Sequence, residues 1–300
     1  MSCSDLPSLH RLRLYAVIIT CLSAIPIART QTQASCTFHL FQLNPADPTN
    51  PTIGVGGVND FSTVVGTAQP KGSTTRGFVR FSGGGVTYFD APNSTATAFT
   101  ARNNQGVSVG IYSSPSQSGI GFLLSGSTFT SIQHPKSVYG TTPTGINKYN
   151  SVVGWYADGN DYGHGFKRWS DGTILDLDYP GRLGTFVYGI NDNGTIVGSY
   201  FDYGAPLPHG FIYHGGSWAT LDYPKAAGTE LYGMSKAGVI IGHDRSFTPP
   251  RSFLYVNGAF KVITVPNSSS TEAMGISNGG LIAGTATFGS ITKGFTATCK

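Results

Sequence analysis

Short apolar runs separated by turns rich in Asn and Gly recur along the chain from about residue 36 onwards. One copy reads as four strands: "TFVYGIN" (185–191), "TIVGSYF" (195–201), "GFIYHG" (210–215) and "SWATLDYP" (217–224). Asn-Asp-Asn-Gly joins the first pair and Gly-Gly the second, and both suit hairpins because Gly and Asn accept the positive φ of tight turns. No helical or βαβ pattern is visible, so the pattern predicts an all-β chain.

Three columns of residues repeat with nearly one period. A glycine that follows an apolar residue recurs, with spacings of 44, 44, 44, 44 and 42, at Gly66, Gly110, Gly154, Gly198, Gly242 and Gly284. A phenylalanine and a proline column keep step with it, at Phe78, Phe122, Phe166, Phe211, Phe253 and Phe295 and at Pro92, Pro135, Pro180, Pro224 and Pro266. Four antiparallel strands in 40 to 45 residues are typical of a propeller blade. The repeat predicts one domain, a six-bladed β-propeller over residues 36–300.

The two ends of the predicted domain complement each other. The sixth unit stops after its third strand at "GFTATCK", whereas "CTFHLFQLNP" (36–45) resembles a fourth strand such as "STFTSIQHP" (127–135). We therefore expect the N-terminal strand to complete the last blade, which closes the ring and removes open sheet edges. Cys36 and Cys299 then become neighbours and are expected to form a disulfide in an oxidising compartment. Two unrelated free thiols are the alternative.

The first 34 residues have the layout of a secretory signal peptide followed by a short leader. An apolar run over residues 14–28 follows Arg11 and Arg13 and precedes small polar residues. The run is shorter than the roughly 20 residues that a membrane span needs. Cleavage after Ala28 or after Ala34 would fit, and an uncleaved membrane anchor is the alternative. We expect a secreted protein with no stable membrane insertion after cleavage.

Composition supports a turn-rich secreted domain and gives no sign of a nucleic-acid partner. The chain has 41 glycines and only 11% charged residues, against about 25% in an average domain. Without residues 1–34, 16 Lys and Arg face 14 Asp and Glu, so the net charge falls from +4 to +2. No run of basic residues interleaved with aromatic ones is present, as a phosphate-binding surface would require. We expect a monomer.

The repeat unit resembles that of the bacterial extracellular repeat proteins of the HAF type. The matching residues are "GIN" at 145–147 and 189–191, "VGWY" and "VGSY", "HGF" at 164–166 and 209–211, and "LDYP" at 177–180 and 221–224. Gly replaces the Ala of the family's His-Ala-Phe tripeptide, and the His is absent from four of the six units. The resemblance implies a secreted or periplasmic bacterial protein, and it supplies no catalytic residues.

A propeller whose four strands per blade follow this order from the central channel outward has two different ends. We call the end with the short Asn-x-x-Gly and Gly-Gly turns the turn face. The other end, the loop face, carries the longer loops between second and third strands and between blades. Loops that vary on a repeated scaffold usually carry the binding function. Aromatic rings with a polar edge suit sugars and apolar faces, so the predicted ligand-binding residues are Trp155, Tyr156, Tyr162, Tyr200, Tyr203, Arg182 and Arg245. The alternative is that Tyr112, Tyr156 and Tyr200, which share a column, pack between blades.

Residues that could carry metal or acid-base chemistry are few. Asp158 and Asp161 in "DGND" could hold calcium through oxygen ligands, although turn chemistry also explains them. Glu230 and Glu272, with Asp244 nearby, could act as acid and nucleophile on a glycoside. Neither Gly-x-Ser-x-Gly nor His-Glu-x-x-His occurs, and no cofactor is expected.

Three further columns are interpreted as structural. They comprise Asp90, Asp178 and Asp222, then His164 and His209, then Thr97, Thr141, Thr185, Thr229 and Thr271. Their regularity favours hydrogen bonds that hold strand ends. The sequence as a whole predicts a non-catalytic binding module for an extracellular glycan or protein. The alternatives are an extracellular hydrolase or lyase that acts on polysaccharide, and a purely structural surface or matrix component.

Overall fold

A computed structural model describes residues 32–43, 52–70, 73–160 and 162–300 of the protein. Within these ranges, 25 strands form six sheets. Five sheets contain four consecutive strands in antiparallel order, and the sixth contains three consecutive strands and an N-terminal strand. The predicted all-β fold with six four-stranded blades is therefore confirmed. The described part of the chain contains no helix that is both long and apolar enough to cross a membrane.

The strands run from the central channel outward in each blade, after two N-terminal strands, β1 (Thr32–Gln33) and β2 (Cys36–Phe41). Blade one holds β3 (Thr52–Val58), β4 (Val64–Gln69), β5 (Arg76–Arg80) and β6 (Val86–Phe89), and blade two holds β7 (Ala96–Arg102), β8 (Ser108–Ser113), β9 (Ile120–Ser125) and β10 (Thr128–Ile132). Blade three holds β11 (Thr141–Ile146), β12 (Val152–Ala157), β13 (Gly163–Arg168) and β14 (Ile174–Asp176), and blade four holds β15 (Gly184–Ile190), β16 (Ile196–Phe201), β17 (His209–His214) and β18 (Ser217–Thr220). Blade five holds β19 (Thr229–Met234), β20 (Ile240–Asp244), β21 (Arg251–Val256) and β22 (Ala259–Val262), and blade six holds β23 (Ser270–Ile276), β24 (Ile282–Phe288) and β25 (Ile291–Cys299).

The N-terminal strand closes the ring as expected. Strand β2 pairs with β25 in an antiparallel register that runs from Cys36 opposite Cys299 to Phe41 opposite Gly294. The predicted disulfide between Cys36 and Cys299 is present. Blade six is thereby completed by a strand from the other end of the chain.

A second N-terminal strand adds to the rim of blade five, where none was predicted. Strand β1 pairs in parallel with β22, and the backbone N–H of Ala34 donates to Val262 O at 2.9 Å. Thr32, where the described residues begin, thus lies inside the segment assigned to the leader. Cleavage after Ala28 would keep this strand, whereas cleavage after Ala34 would remove it.

The core lies between neighbouring sheets and explains the phenylalanine column. All six of its side chains are fully buried. Between blades three and four, for example, Val153, Val187 and Phe211 belong to one cluster. Each fully buried large apolar side chain stabilises the fold by about 1.5–3 kcal/mol relative to an exposed one.

The asparagine at the position of Gly-Ile-Asn links each of the first four blades to the next on the turn face. Asn191 Oδ1 accepts the N–H groups of Asn193 (3.0 Å) and Thr195 (2.9 Å), which closes the turn. Its Nδ2 donates to Ser235 O of blade five at 3.1 Å. The same inter-blade bond is made by Asn59, Asn103 and Asn147. Blades five and six carry Ser235 and Ser277 instead, which keep the bond within the turn. The repetition of this motif therefore reflects a series of inter-blade hydrogen bonds that runs from blade one to blade five along the channel mouth.

The threonine column has the structural role that its regularity indicates. Thr185 Oγ1 accepts the backbone N–H of Tyr179 at 2.8 Å, where the chain passes from blade three to blade four. Equivalent bonds are made at Thr97, Thr141, Thr229 and Thr271. Each threonine thus satisfies a buried donor of the linker before its own strand.

Candidate functional site

The predicted aromatic residues of the loop face differ in how much of each ring they expose. Tyr203 is 73% exposed and Tyr162 is 44% exposed. Trp155 is half-buried, with its ring centroid 5.2 Å from that of Phe186. Tyr162 and Tyr203 therefore expose their rings to solvent, whereas one side of Trp155 packs against Phe186.

Tyr156 and Tyr200 are covered on their ring faces. Tyr156 stacks between His134, at a centroid distance of 3.7 Å, and His164, at 5.2 Å. Tyr200 stacks on Tyr179 at 4.0 Å. This arrangement follows the alternative in which the tyrosine column packs within the scaffold.

The histidine and aspartate columns meet in pairs at the start of each third strand. His164 Nδ1 lies 3.0 Å from Asp178 Oδ2, and His209 Nδ1 lies 2.8 Å from Asp222 Oδ2. In blade one, Arg76 takes the place of the histidine and pairs with Asp90 at 2.7 Å. These contacts join the third and fourth strands of one blade, in agreement with a structural role.

The loop that carries Tyr162 is fixed by an aspartate. Asp158 Oδ1 accepts the backbone N–H groups of Asn160 (2.9 Å) and Tyr162 (3.0 Å), and the Tyr162 bond lowers the pKa of Asp158. Asp161 lies outside the described residues. Among the residues that the structure does describe, no group of three or more His, Cys, Asp or Glu side chains is placed to hold a metal ion. Asp158 thus forms hydrogen bonds within its own loop.

The loop that carries Tyr203 is held in a similar way from the neighbouring linker. Arg182 Nη1 lies 2.9 Å from Asp202 Oδ1, and the Arg182 guanidinium lies 5.3 Å from the centre of the Tyr200 ring. His209 Nε2 approaches the other oxygen of Asp202 at 3.9 Å. Tyr203 follows Asp202 directly in the chain, so the residue next to the exposed ring is held in place by Arg182.

A shallow depression lies on the loop face between blades five and six. It has a volume of about 330 Å³. Phe247, which is 45% exposed, borders it, and residues 268–271 supply hydroxyl groups. The Arg251 guanidinium lies 3.9 Å from the centre of the Phe247 ring. The loop face therefore combines exposed rings with hydroxyl and charged groups.

The candidate catalytic carboxylates do not face one another as an acid-base pair in blade five. Glu230 is opposite His243 in the register of β19 and β20, whereas Asp244 is opposite Thr229. Since successive residues of a strand point to opposite faces, the side chains of Glu230 and Asp244 lie on opposite faces of the sheet. Glu272 occupies the equivalent position in blade six, opposite Thr285.

Glu230 is itself engaged by its neighbours. The carboxylate is nearly buried, and its Oε2 accepts the Tyr232 hydroxyl at 2.9 Å. Arg245 Nε lies 3.6 Å from the same oxygen. Burial, together with the Glu230 carboxylate, raises the pKa of Tyr232 well above its usual range. Arg245, predicted as a ligand contact, thus interacts with Glu230.

The buried His243 should make the protein lose stability in acid. Its Nε2 donates to Ala273 O at 3.1 Å, and burial lowers its pKa to about 4. Because the unfolded side chain has a pKa near 6.5, this stabilising contribution is present above about pH 6.5. It falls as the pH drops from there toward 4, by about 3 kcal/mol.

Urea unfolding at pH 7.5 and pH 4 measures this loss for the wild type and for His243→Gln. The variant keeps a hydrogen-bond donor and does not titrate, so its decrease between the two pH values should be smaller by about 3 kcal/mol. Equal decreases in both proteins would show that His243 is not responsible.

The sequence did not predict a cavity on the channel axis that opens toward the turn face. Its volume is about 190 Å³. One ring of its wall is formed by the extra residue of a β-bulge in each innermost strand, namely Gly56, Thr100, Thr144, Tyr188, Tyr232 and Met274. A signal for it does exist in the sequence. At the position three residues after the threonine of the threonine column, the second and third units have Thr100 and Thr144. The last three units have the larger Tyr188, Tyr232 and Met274 at the same position.

Comparisons with known proteins give structural neighbours of low sequence identity. No family model matches the chain, and no curated protein matches it. A streptogramin B lyase structure aligns with a TM-score of 0.47 and 13% identity, covering 88% of this chain and 98% of the other. A prolyl endopeptidase aligns at 0.48 and 12%, covering 82% and 41%. An arginine-to-alanine triple mutant of AofleA from Arthrobotrys oligospora aligns at 0.48 and 13%, covering 90% and 84%. The assignment of a six-bladed β-propeller rests on the sheet topology of this chain.

Proposed function

We propose that this protein is a secreted, non-catalytic binding module whose loop face contacts an extracellular glycan. The observation that carries the proposal is the pair of exposed tyrosines on anchored loops. Tyr162 follows a loop closed by Asp158, and Tyr203 follows Asp202, which is held by Arg182. Rings held in place lose little conformational freedom when a ligand binds, which favours affinity.

The chemistry of the surrounding surface supports a sugar ligand. Sugar rings offer apolar C–H faces that pack on aromatic rings and hydroxyl groups that need polar partners. The loop face supplies exposed rings at Tyr139, Tyr162, Tyr203 and Phe247. Residues 268–271 bring hydroxyl groups to the depression beside Phe247.

Secretion is the second part of the proposal. The apolar run at residues 14–28 has the layout of a signal peptide. The disulfide between Cys36 and Cys299 supports an oxidising compartment. The HAF-type resemblance, which rests on the motifs quoted above, adds a bacterial origin to this proposal.

A glycan panel tests the binding function. The disulfide-bonded protein is incubated with soluble and insoluble polysaccharides, alongside a Tyr162→Ala, Tyr203→Ala variant. We expect selective binding by the wild type and a loss of about five- to 150-fold in the variant, since stacking on each of the two rings contributes about 0.5–1.5 kcal/mol.

Phe81→Ala is the matched control, because Phe81 is as exposed as Tyr162, at 44%, and lies in a turn of the turn face. The control should bind as the wild type does. Absence of binding to every glycan, or an equal loss in the control, would contradict the proposal.

A further inference from the structure

The cavity on the channel axis has room for one small ring. Its volume is about 190 Å³. A cavity of about 150 Å³ takes up benzene, whereas sites for drug-sized ligands measure about 300–1,000 Å³. The space therefore suits a single six-membered ring with small substituents.

The wall of the cavity is asymmetric in size and in chemistry. On the side of blades four to six, the rings of Tyr188 and Tyr232 stack at a centroid distance of 4.9 Å with 12° between their planes, and Met274 continues this wall. On the opposite side, Thr100 and Thr144 are small, and their hydroxyls donate to backbone oxygens of the next blade. A ring that enters can therefore lie against the large apolar side chains.

The polar groups at the level of the bulges are uncharged. A bulge leaves its extra residue outside the regular ladder of hydrogen bonds, and each of the six innermost strands has one at this level. The charged side chains among the lining residues belong to Arg102, Lys148 and Asp192, at strand ends and turns. Asp192 Oδ1 accepts the N–H of Lys148 at 2.9 Å. Peptide groups beside an apolar wall suit a neutral ring that carries hydroxyl groups.

The mouth of the cavity is spanned by one side chain. Asn278 Oδ1 of blade six accepts the backbone N–H of Asp192 of blade four at 3.1 Å. The N–H of Lys236, from the blade between them, donates to Asn278 O at 3.1 Å. The Asn278 side chain therefore narrows the mouth on the side of blades four to six, which favours entry of a small ligand.

We propose that this cavity is a second binding site, specific for one neutral monosaccharide-sized ring. The ring packs on Tyr188, Tyr232 and Met274 and hydrogen-bonds to the channel backbone. The site lies at the opposite end of the molecule from Tyr162 and Tyr203. It is therefore independent of the glycan contact proposed for the loop face.

The methionines of the protein give a direct probe of this site. The sequence contains three, of which Met1 falls in the predicted signal peptide, and the other two, Met234 and Met274, both line the cavity. Protein labelled with ¹³C in the methionine methyl groups is titrated with glucose, galactose, mannose, xylose, fucose and N-acetylglucosamine, and Met234→Leu assigns the signals. We expect a saturable shift of the Met274 methyl with at least one sugar, at a Kd of about 1 mM or below.

Two outcomes would overturn the proposal. One is that neither methyl signal moves with any of the sugars. The other is that phenol and indole shift the signals whereas the sugars do not, which would make the cavity an apolar-ring site. This titration is read on the wild-type protein, and the Met234→Leu variant serves only to assign the signals.

Variants separate the two proposed sites. Met274→Trp fills the cavity and should weaken the sugar-induced change at least tenfold, as read from the Met234 methyl, whereas Tyr203→Ala should leave it unchanged. If Tyr203→Ala abolishes polysaccharide binding and the sugars do not shift the methionine methyl signals, the loop-face site is supported and the cavity site is overturned. If the sugars shift the methyl signals but no polysaccharide binds, the cavity site is supported and the loop-face site is overturned.

Discussion

Replacing Gly198 by alanine is expected to destabilise the protein by about 4 kcal/mol or more, or to prevent folding. A Cβ at this position would overlap the carbonyl oxygen of Phe186 on the adjacent strand and would lie 2.8 Å from the Phe211 ring. Neither group can move away easily, because Phe186 O belongs to the innermost strand and the Phe211 side chain is fully buried. The penalty is one of overpacking at a backbone contact.

The same clash explains why a glycine recurs at this point of every unit. A Cβ would meet the carbonyl oxygen of the innermost strand of the same blade at Gly66, Gly110, Gly154, Gly242 and Gly284 as well. The glycine lets the buried phenylalanine of the third strand lie flat across the second. The repeated Val-Gly pair is thus a packing requirement of each blade.

Urea unfolding of Gly198→Ala, with Gly85→Ala as the control, tests this explanation. A Cβ at Gly85 would have nothing within 4 Å, so the control should unfold within about 0.5 kcal/mol of the wild type. A Gly198→Ala protein as stable as its control would show that the blade can relax around the added methyl group.

Removing the disulfide by Cys36→Ser, Cys299→Ser is expected to lower the free energy of unfolding by about 4 kcal/mol. The two cysteines are 263 residues apart, so the cross-link restricts nearly the whole unfolded propeller. Without it, β2 is held to β25 by the pairing of Cys36 to Phe41 with their partners alone. Blade six should then open before the other blades.

Denaturation with and without dithiothreitol measures the effect. The reductant should lower the unfolding midpoint of the wild type to that of the double serine variant and leave the variant unchanged. A variant as stable as the oxidised wild type would mean that strand pairing alone closes the ring.

The blades, their number and the closure were predictable because each depends on features repeated within the chain. A glycine that must avoid a carbonyl oxygen, a threonine that satisfies a linker N–H and an asparagine that closes a turn recur at one spacing. The disulfide followed because a ring brings Cys36 to Cys299. These features are set by contacts within a blade or between equal positions of neighbouring blades.

The exposure of individual aromatic residues was not predictable from the repeat. Tyr156 is covered because His134, from the preceding linker, stacks on it. The residue type at this linker position differs between units, with Ala91 and Tyr179 at equivalent places. The channel cavity was missed because its wall combines one residue from each unit, and only the difference between units gives it an apolar side. The strand at Thr32–Gln33 pairs in parallel on an outer edge, where the repeat contains no equivalent.

The meeting of the two chain ends in blade six makes the order of the blades cyclic. Lys300 N donates to Ser35 O at 2.9 Å, directly beside the paired cysteines. A short peptide linker across this gap, with new termini cut in an exposed turn such as that at Gly215 and Gly216, would preserve the blade contacts described above. The junction in blade six is therefore one of several equivalent places to begin the same ring, and circular permutation of the propeller should be tolerated wherever the cut avoids an innermost strand.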